Sequence, residues 1–131
     1  VFFDLDYFKK LNDTYGHECG DVVLSTFGKI LNKSVREHDI VGRYGGEEFV
    51  AIIHFNLNRE LLQFLKRIKT IVTENSFLYK EKKIKVTFSA GVAIRSSYAT
   101  YENTLQKADM LLYQAKENGR NKIILENGME I

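Results

Sequence analysis

Short apolar runs alternate with amphipathic stripes along this chain, and their order limits its fold more than any other feature. The runs have the composition of buried strands, whereas the stripes repeat every three or four residues, as on one face of a helix. The strands are predicted at 1–5, 40–44, 49–55, as two strands or one bent strand within 77–94, and at 122–125. The helices are predicted at 7–16, from about 20 to beyond 31, at 58–75 and at 101–118, with Asp21 as a candidate cap of the second helix.

The predicted order is strand, helix, helix, strand, strand, helix, strand, strand, helix, strand. This alternation indicates an α/β (α+β) fold in which helices flank a central sheet. It contains βαββαβ, the ferredoxin-like arrangement. No internal repeat, low-complexity stretch or proline-rich linker divides the 131 residues, so we expect a single domain over 1–131.

The composition argues against several classes of function. Nineteen basic and 17 acidic residues give a net charge of only +2, too even to predict a nucleic-acid surface or a membrane-binding patch. The longest apolar runs fall far short of the roughly 20 residues that cross a bilayer. Cys19 is the single cysteine, which excludes an intrachain disulfide; we expect it to be a packing residue in a reducing compartment.

The chain opens abruptly on VFFDLD, without a signal-peptide pattern. We therefore expect an N-terminally truncated domain that is cytoplasmic. A preceding sensory, regulatory or membrane-anchoring region is expected outside this sequence.

A first acidic pair, Asp4 and Asp6, lies at the C-terminal end of the opening strand. Side chains two residues apart on a strand point to the same face, so the two carboxylates can hold a hard cation. The alternative is structural, since acidic residues often cap the helix that follows a strand. Asp6 is interpreted as such a cap for the helix near Tyr7.

A second acidic pair, Glu47 and Glu48, directly follows Gly45 and Gly46. The glycines permit the positive φ angles of a two-residue hairpin turn, and they leave room for a ligand near the backbone. A hairpin with two solvated glutamates is the alternative interpretation.

The two acidic pairs converge if the opening strand lies beside this hairpin. Asp4, Glu47 and the main-chain carbonyl of Leu5 then offer oxygen ligands for one or two Mg²⁺ ions, whose other ligands would be water and substrate phosphates. This predicts a phosphoryl-transfer site. Three cations are candidate phosphate ligands: Lys9, Lys116 and Arg120. Lys116 and Arg120, four residues apart, are expected on one helix face, with solvated cations near a helix C-terminus as the alternative.

Together these residues resemble the GGDEF family of diguanylate cyclases, in the variant spelled GGEEF. The resemblance covers essentially the whole chain. It rests on five ordered motifs: FDLDxFKxxND at 3–13, GHxxGD at 16–21, RYGGEEF at 43–49, SxGVA at 89–93, and ADxxLYxAKxxGRN at 108–121.

The resemblance implies a palm-type core with a mostly antiparallel sheet, similar to nucleotide cyclase and polymerase palm domains. It implies that two GTP molecules are joined into cyclic di-GMP with release of two pyrophosphates, across a homodimer in which each domain binds one GTP. Asp4, the Leu5 carbonyl and Glu47 look like ligands of Mg²⁺, with Mn²⁺ as an alternative. Glu47 also resembles the family's base, and Glu48 a support for the second metal or the hydroxyl.

The resemblance also assigns substrate contacts. Lys9 resembles the residue that stabilises charge on the phosphates, and Lys116 and Arg120 look like clamps on the β- and γ-phosphates. Guanine contacts are implied for Asn12 and Asp21. His17, in what is predicted to be a loop, is a further nucleotide contact or a structural histidine.

A product site is implied by Arg36-x-x-Asp39, with five residues between Asp39 and Gly45, and Arg67 on the third helix is implied as a secondary contact. A surface ion pair is the alternative for a bare RxxD. The family's usual preceding segment does not occur in this sequence, so we expect this piece to dimerise poorly and to have low activity by itself. Two other functions stay open: a catalytically silent domain that senses GTP or cyclic di-GMP, and another palm-type nucleotide cyclase or polymerase-like activity.

Overall fold

The computed structural model of the protein describes residues 1–74, 77–95 and 100–131. Its elements are, in chain order, β1 (Phe2–Leu5), α1 (Phe8–Tyr15), α2 (His17–Ser34), β2 (Ile40–Gly45), β3 (Glu48–Ile52), α3 (Asn58–Glu74), β4 (Phe77–Tyr79), β5 (Lys82–Ile84), β6 (Phe88–Val92), α4 (Tyr101–Glu117) and β7 (Ile123–Leu125). None of the described helices is apolar over enough of its length to cross a membrane.

Five strands form the main sheet in the order β2-β3-β1-β6-β7. Only β6 and β7 pair in parallel; the other neighbours are antiparallel. The strands β1, β2, β3 and β6, with their connecting helices, make the predicted βαββαβ core, and α4 and β7 extend it. The predicted α/β class and mostly antiparallel sheet are therefore confirmed.

The strand β1 separates two apolar layers. Phe3 and Leu5 belong to the large core shared with α2 and α3, whereas Phe2 packs with residues of α4 on the opposite face. The Phe27 ring, from α2, makes a T-shaped contact with Phe3 at a centroid distance of 6.0 Å. Truncating a buried Phe to Ala costs about 3–5 kcal/mol. Because β1 side chains alternate, Asp4 falls on the α4 face.

Close packing also fixes the position of α4. A Cβ added to Gly91 of β6 would lie 2.0 Å from the carbonyl oxygen of Ala108 and 2.4 Å from the Leu112 nitrogen. Only a residue without a side chain lets the helix backbone come this near to the sheet.

Two predictions about the elements are wrong. The helix α2 already begins at His17, so His17 is helical and Asp21 lies inside the first turns instead of capping them. Between α3 and α4 the described residues form three strands where two were predicted. Lys80 and Glu81 take left-handed φ angles of 47° and 67° and close a tight β4–β5 hairpin, which pairs separately from the main sheet.

Candidate active site

Acidic residues of β1 and of the β2–β3 hairpin come together where β1 and β3 lie side by side. Asp4 is the register partner of Glu48, and the backbone N–H of Leu5 donates to the carbonyl oxygen of Glu47 over 3.3 Å. Residues directly opposite in an antiparallel pair have their side chains on the same face. Asp4 and Glu48 therefore project together towards α4, with Glu47 in the turn just before β3. The predicted adjacency of the opening strand and the hairpin is present.

Lys116, in the last turn of α4, brings a cation to this cluster. Its ammonium donates a hydrogen bond to Oδ2 of Asp4 and forms an ion pair with it. The Asp4 side chain is only 6% exposed, against 33% for Lys116. Burial raises the pKa of Asp4 against the opposing effect of Lys116, and the negative charges of Glu47 and Asp6 raise it further.

Glu48 has a similar environment. The pKa of Glu48 is raised, mainly by burial. The negative charges of Asp4, Asp109 and Glu47 raise this pKa further, whereas the positive charge of Lys116 opposes the increase. Asp109 is an exposed residue of α4 to which sequence reasoning gave no role. Its position seven residues before Lys116, two helical turns away on the same side of α4, could have indicated that it lies near the site.

The donor atoms here fit a hard divalent cation. Mg²⁺ takes carboxylate and carbonyl oxygens together with water and phosphate oxygens, and Asp4 already binds one cation, the Lys116 ammonium. Within 1–74, 77–95 and 100–131, no three or more Asp, Glu, His or Cys side chains are gathered closely enough to hold a metal alone. A divalent cation at Asp4 and Glu47 would therefore need ligands from substrate and water.

Asp6 does not cap α1. Tyr7 occupies the N-cap position of α1, and no side chain makes a capping hydrogen bond to the first turn of this helix. The Asp6 carboxylate instead accepts hydrogen bonds from the hydroxyls of Thr87 at 2.7 Å and Ser89 at 2.6 Å, and from the backbone N–H of Asn121 at 2.9 Å. The three donors come from parts of the chain that only tertiary packing brings to Asp6. The prediction that Asp6 caps α1 is therefore wrong.

The predicted phosphate ligands are arranged differently from the expectation. The helix α4 ends at Glu117, and Arg120 lies beyond it with a φ of 63°, so Lys116 and Arg120 do not share a helix face. The Arg120 guanidinium carbon is 4.9 Å from the centroid of the Tyr7 ring. Lys9 is exposed on the first turn of α1.

The hairpin turn is made by one glycine rather than two. Gly45 still belongs to β2, and only Gly46 has a positive φ, 47°. The turn residues are thus Gly46 and Glu47, and a register irregularity separates Arg43 from Gly45. Arg43 donates from Nε to the carbonyl oxygen of Gly46 at 2.8 Å, which ties the turn to its own strand. A Cβ at either glycine would meet nothing within 4 Å, so both face open space.

The two predicted guanine contacts lie on facing helices. Asn12 of α1 packs against Gly20 of α2, where an added Cβ would lie 1.8 Å from Asn12 Oδ1. That oxygen is buried and has no hydrogen-bond partner among the described residues. A buried acceptor left without a donor is costly, and the exposed carboxylate of Asp21 follows Gly20 directly in the chain. Both residues offer oxygen acceptors.

A cavity of about 400 Å³ opens beside Asp21, between α2 and the hairpin. Ser25 and Lys29 of α2 and Arg43 and Phe49 of the hairpin are among its lining residues. His17 is exposed at the first position of α2, so it lies near the helix–helix corner rather than in a loop.

The residues predicted for product binding line a small cavity of about 50 Å³: Arg36, Asp39 and Arg67. Asp39 accepts from the backbone N–H groups of Arg36 at 2.9 Å and His54 at 2.8 Å. Burial acts to raise the pKa of Asp39, but these hydrogen bonds outweigh it and the pKa is lowered. Arg36 therefore contacts Asp39 through its main chain. Sequence reasoning missed His54, whose ring nitrogen Nδ1 lies 3.5 Å from the same carboxylate.

Arg67 reaches this cavity from α3. It donates to the carbonyl oxygen of Ser34 at 2.7 Å, and its guanidinium carbon lies 5.9 Å from the Phe64 ring centroid. The helix register thus brings Arg67 to the cavity that Arg36 and Asp39 also line.

Comparison with known proteins gives one consistent family. The model of the GGDEF domain, described as diguanylate cyclase, matches residues 1–122. Diguanylate cyclase A of Treponema denticola is 40% identical over 129 residues, which is 95% of this chain and 34% of that protein. The chain thus spans about a third of the length of this relative.

Solved structures have the same fold. The coiled coil and GGDEF domain of DgcB from Caulobacter crescentus, in complex with c-di-GMP, aligns with a TM-score of 0.87 and 27% identity over 95% of this chain and 66% of that one. The active GGEEF domain of a diguanylate cyclase from Vibrio cholerae aligns with a TM-score of 0.79 and 28% identity over 95% and 79%. From its sequence, its fold and these matches, the chain belongs to the GGDEF family of diguanylate cyclase domains.

Proposed function

We propose that this domain is a diguanylate cyclase, which joins two GTP molecules into cyclic di-GMP and releases two pyrophosphates. Each 3′-hydroxyl attacks the α-phosphorus of the other nucleotide, so two P–O bonds form and two bonds to pyrophosphate break. The observation that carries this proposal is the adjacency of β1 and β3: Asp4 lies opposite Glu48, the Leu5 N–H is bonded to the Glu47 carbonyl, and Lys116 is paired with Asp4. Phosphoryl transfer uses carboxylates that hold metal ions and cations that stabilise the phosphate charge.

In this reaction Glu47 is the base that accepts the proton of the 3′-hydroxyl. Its main chain is held by Leu5 while its side chain comes from a turn, so the carboxylate can face a ligand above the sheet. The chain carries the GGEEF spelling at 45–49, the same one named for the active domain from Vibrio cholerae. Glu48 supports the site from the position opposite Asp4.

Two Mg²⁺ ions per GTP are proposed as the cofactor, bound by Asp4, Glu47, Glu48 and the carbonyl oxygen of Leu5. Mn²⁺ suits the same oxygen ligands. When bound, the metal supplies positive charge to the phosphates and acidifies the hydroxyl that Glu47 deprotonates. Lys116, Arg120 and Lys9 then balance the charge of the phosphates and pyrophosphate.

Guanine is proposed to bind Asn12 and Asp21. Guanine offers N1 and N2 donors to an acceptor, and adenine lacks this pair. The Asn12 Oδ1, which has no partner in the part of the chain that the structure describes, and the exposed carboxylate of Asp21 are two acceptors on facing helices. This favours GTP over ATP, with His17 as a further contact at the start of α2.

The proposed active unit is a pair of domains. One domain holds one GTP, and the second 3′-hydroxyl must come from a nucleotide on another copy. A two-fold arrangement brings two identical half-sites face to face.

Incubation of the intact protein with GTP and Mg²⁺, followed by chromatography, tests the proposal. We expect cyclic di-GMP and pyrophosphate from the wild type, a loss of about a hundredfold or more in Glu47→Gln because the base is gone, and full activity in Glu74→Gln, an exposed control at the end of α3. Full activity in Glu47→Gln would remove Glu47 from its role. GTP bound without turnover would instead support a receptor domain.

Product inhibition is proposed at the cavity of Arg36, Asp39 and Arg67. Two arginines and a carboxylate that line one cavity suit a ligand with phosphates and guanine donors, and the DgcB structure is a complex with c-di-GMP. Added cyclic di-GMP should inhibit without competing with GTP, and Arg36→Ala should abolish that inhibition while Lys33→Ala, an exposed control on α2, keeps it. Unchanged inhibition in Arg36→Ala would contradict the site.

A further inference from the structure

Asp6 joins two turns that are far apart in the chain: the turn after β1, which contains Asp6 and Tyr7, and the turn after α4, which contains Arg120 and Asn121. Asp6 follows the proposed metal ligands of β1 and is only 8% exposed. Its Oδ2 accepts the backbone N–H of Asn121 at 2.9 Å, across 115 residues. The main chain immediately after Arg120 is therefore fixed to the end of β1.

The Arg120 turn is held in an uncommon conformation. Arg120 and Asn121 both take left-handed φ angles, 63° and 50°. Residues other than glycine keep such angles only where surrounding contacts determine them. Those contacts are present: the Arg120 N–H donates to the Ala115 carbonyl at 2.9 Å, and the Lys69 ammonium donates to the Asn121 carbonyl at 3.0 Å.

Tyr7 completes the arrangement from the other turn. It also has a left-handed φ, 54°, and its ring lies 4.9 Å from the Arg120 guanidinium carbon. The residue is 61% exposed, so burial of the ring in the core does not explain its position. A flat aromatic face beneath a guanidinium attracts the cation and restricts its rotamers.

We propose that Tyr7 is a positioning residue that holds the Arg120 guanidinium ready for the terminal phosphates of the nucleotide, while Asp6 fixes the Arg120 backbone. The inference rests on the proposed function, in which Arg120 binds the β- and γ-phosphates. An arginine side chain loses rotamer freedom when it binds a phosphate. With the ring in place, part of that loss has already occurred before the nucleotide arrives.

Calorimetric binding of a non-hydrolysable GTP analogue and of GMP to the intact protein tests this role. Tyr7→Ala should weaken the GTP analogue about two- to fivefold, the size of an exposed cation–π contact, and leave GMP unchanged because GMP has no β- or γ-phosphate. Tyr7→Phe, which keeps the ring, should bind like the wild type. In turnover, Tyr7→Ala should raise KM by the same factor and keep kcat.

A double-mutant cycle separates positioning from general structural damage. In an Arg120→Ala background, Tyr7→Ala should have no further effect, because the group that it positions is gone. An equal loss of GMP and GTP-analogue binding, or the same loss in the Arg120→Ala background, would overturn the inference. If Tyr7→Ala leaves GTP binding unchanged, this inference alone fails, whereas a wild type that binds no GTP overturns the proposed function as well.

Discussion

The ammonium of Lys116 pairs with the carboxylate of Asp4, the residue proposed to bind metal. The domain thus pairs its most buried active-site acid with its own cation. If a metal takes that carboxylate, Lys116 becomes available to the phosphates. Metal and substrate are therefore expected to enter the site together.

Lys116→Met should separate these two effects. Removing the competing ammonium should strengthen Mn²⁺ binding to the nucleotide-free protein about three- to tenfold, since a nearby positive charge no longer opposes the metal. Turnover should fall about a hundredfold because a phosphate contact is lost. Electron paramagnetic resonance of free Mn²⁺ measures the first effect. Lys107→Met, an exposed site on the same helix, should change neither, and an unaltered Mn²⁺ affinity in Lys116→Met would refute the competition.

Asp4→Asn should inactivate the domain without unfolding it. The pKa of Asp4 is raised in the folded state, so its ionised form opposes folding above that pKa, and the opposition disappears as the pH falls to the ordinary value of 3.8. We expect the variant to be at least as stable as the wild type at pH 7, because an uncharged amide at this buried position costs less to desolvate than a carboxylate. Urea unfolding checks this. A loss above about 2 kcal/mol would mean that the Lys116 pair is a net stabilising contact.

Gly20→Ala should impair GTP binding through Asn12. The new Cβ would lie 1.8 Å from Asn12 Oδ1, so the amide must move from its present position. We expect KM for GTP to rise about tenfold, the effect of misplacing one hydrogen bond to the base, with little change in kcat. Gly28→Ala is the matched control on α2: its Cβ makes only an ordinary 3.5 Å contact with Phe49. Equal KM values for the two variants would argue against Asn12 as a guanine contact.

Asp39→Asn should destabilise the domain in a pH-dependent way. The pKa of Asp39 is lowered in the folded state, so its stabilising contribution is complete above the ordinary value of 3.8 and is lost as the pH falls through the lowered pKa. At pH 7 the variant should lose about 1–2 kcal/mol, the value of hydrogen bonds to a charged acceptor. Denaturant titrations from pH 7 to 3 should show the difference shrinking. Exposed Glu37→Gln should show no such trend, and a constant difference would rule out the charge as the cause.

Periodicity predicted most of the elements because each strand and helix carries its own apolar pattern. It did not determine which strands are neighbours: Asp4 and Glu47 were expected to converge only if β1 lies beside the hairpin, and that adjacency is present. The bonds of Asp6 could not be predicted, because Thr87, Ser89 and Asn121 reach it only after β6 and α4 have packed.

Backbone conformation was the other source of error. The left-handed φ angles of Tyr7 and Arg120 are carried by residues that rarely adopt them, so no local pattern indicates them. The same holds for Lys80 and Glu81, which turn one predicted strand into a separate hairpin.

The contact of Gly91 with α4 links core packing to the position of an active-site side chain. A methyl group at this position would lie 2.0 Å from the Ala108 carbonyl and would have to lift the helix. Lys116 rides on the same helix, eight residues further on, and would be drawn away from Asp4. The distance between β6 and α4 at Gly91 thus determines how closely Lys116 approaches Asp4. An uncharged substitution in the interior is therefore expected to change the competition between Lys116 and a metal ion for the Asp4 carboxylate.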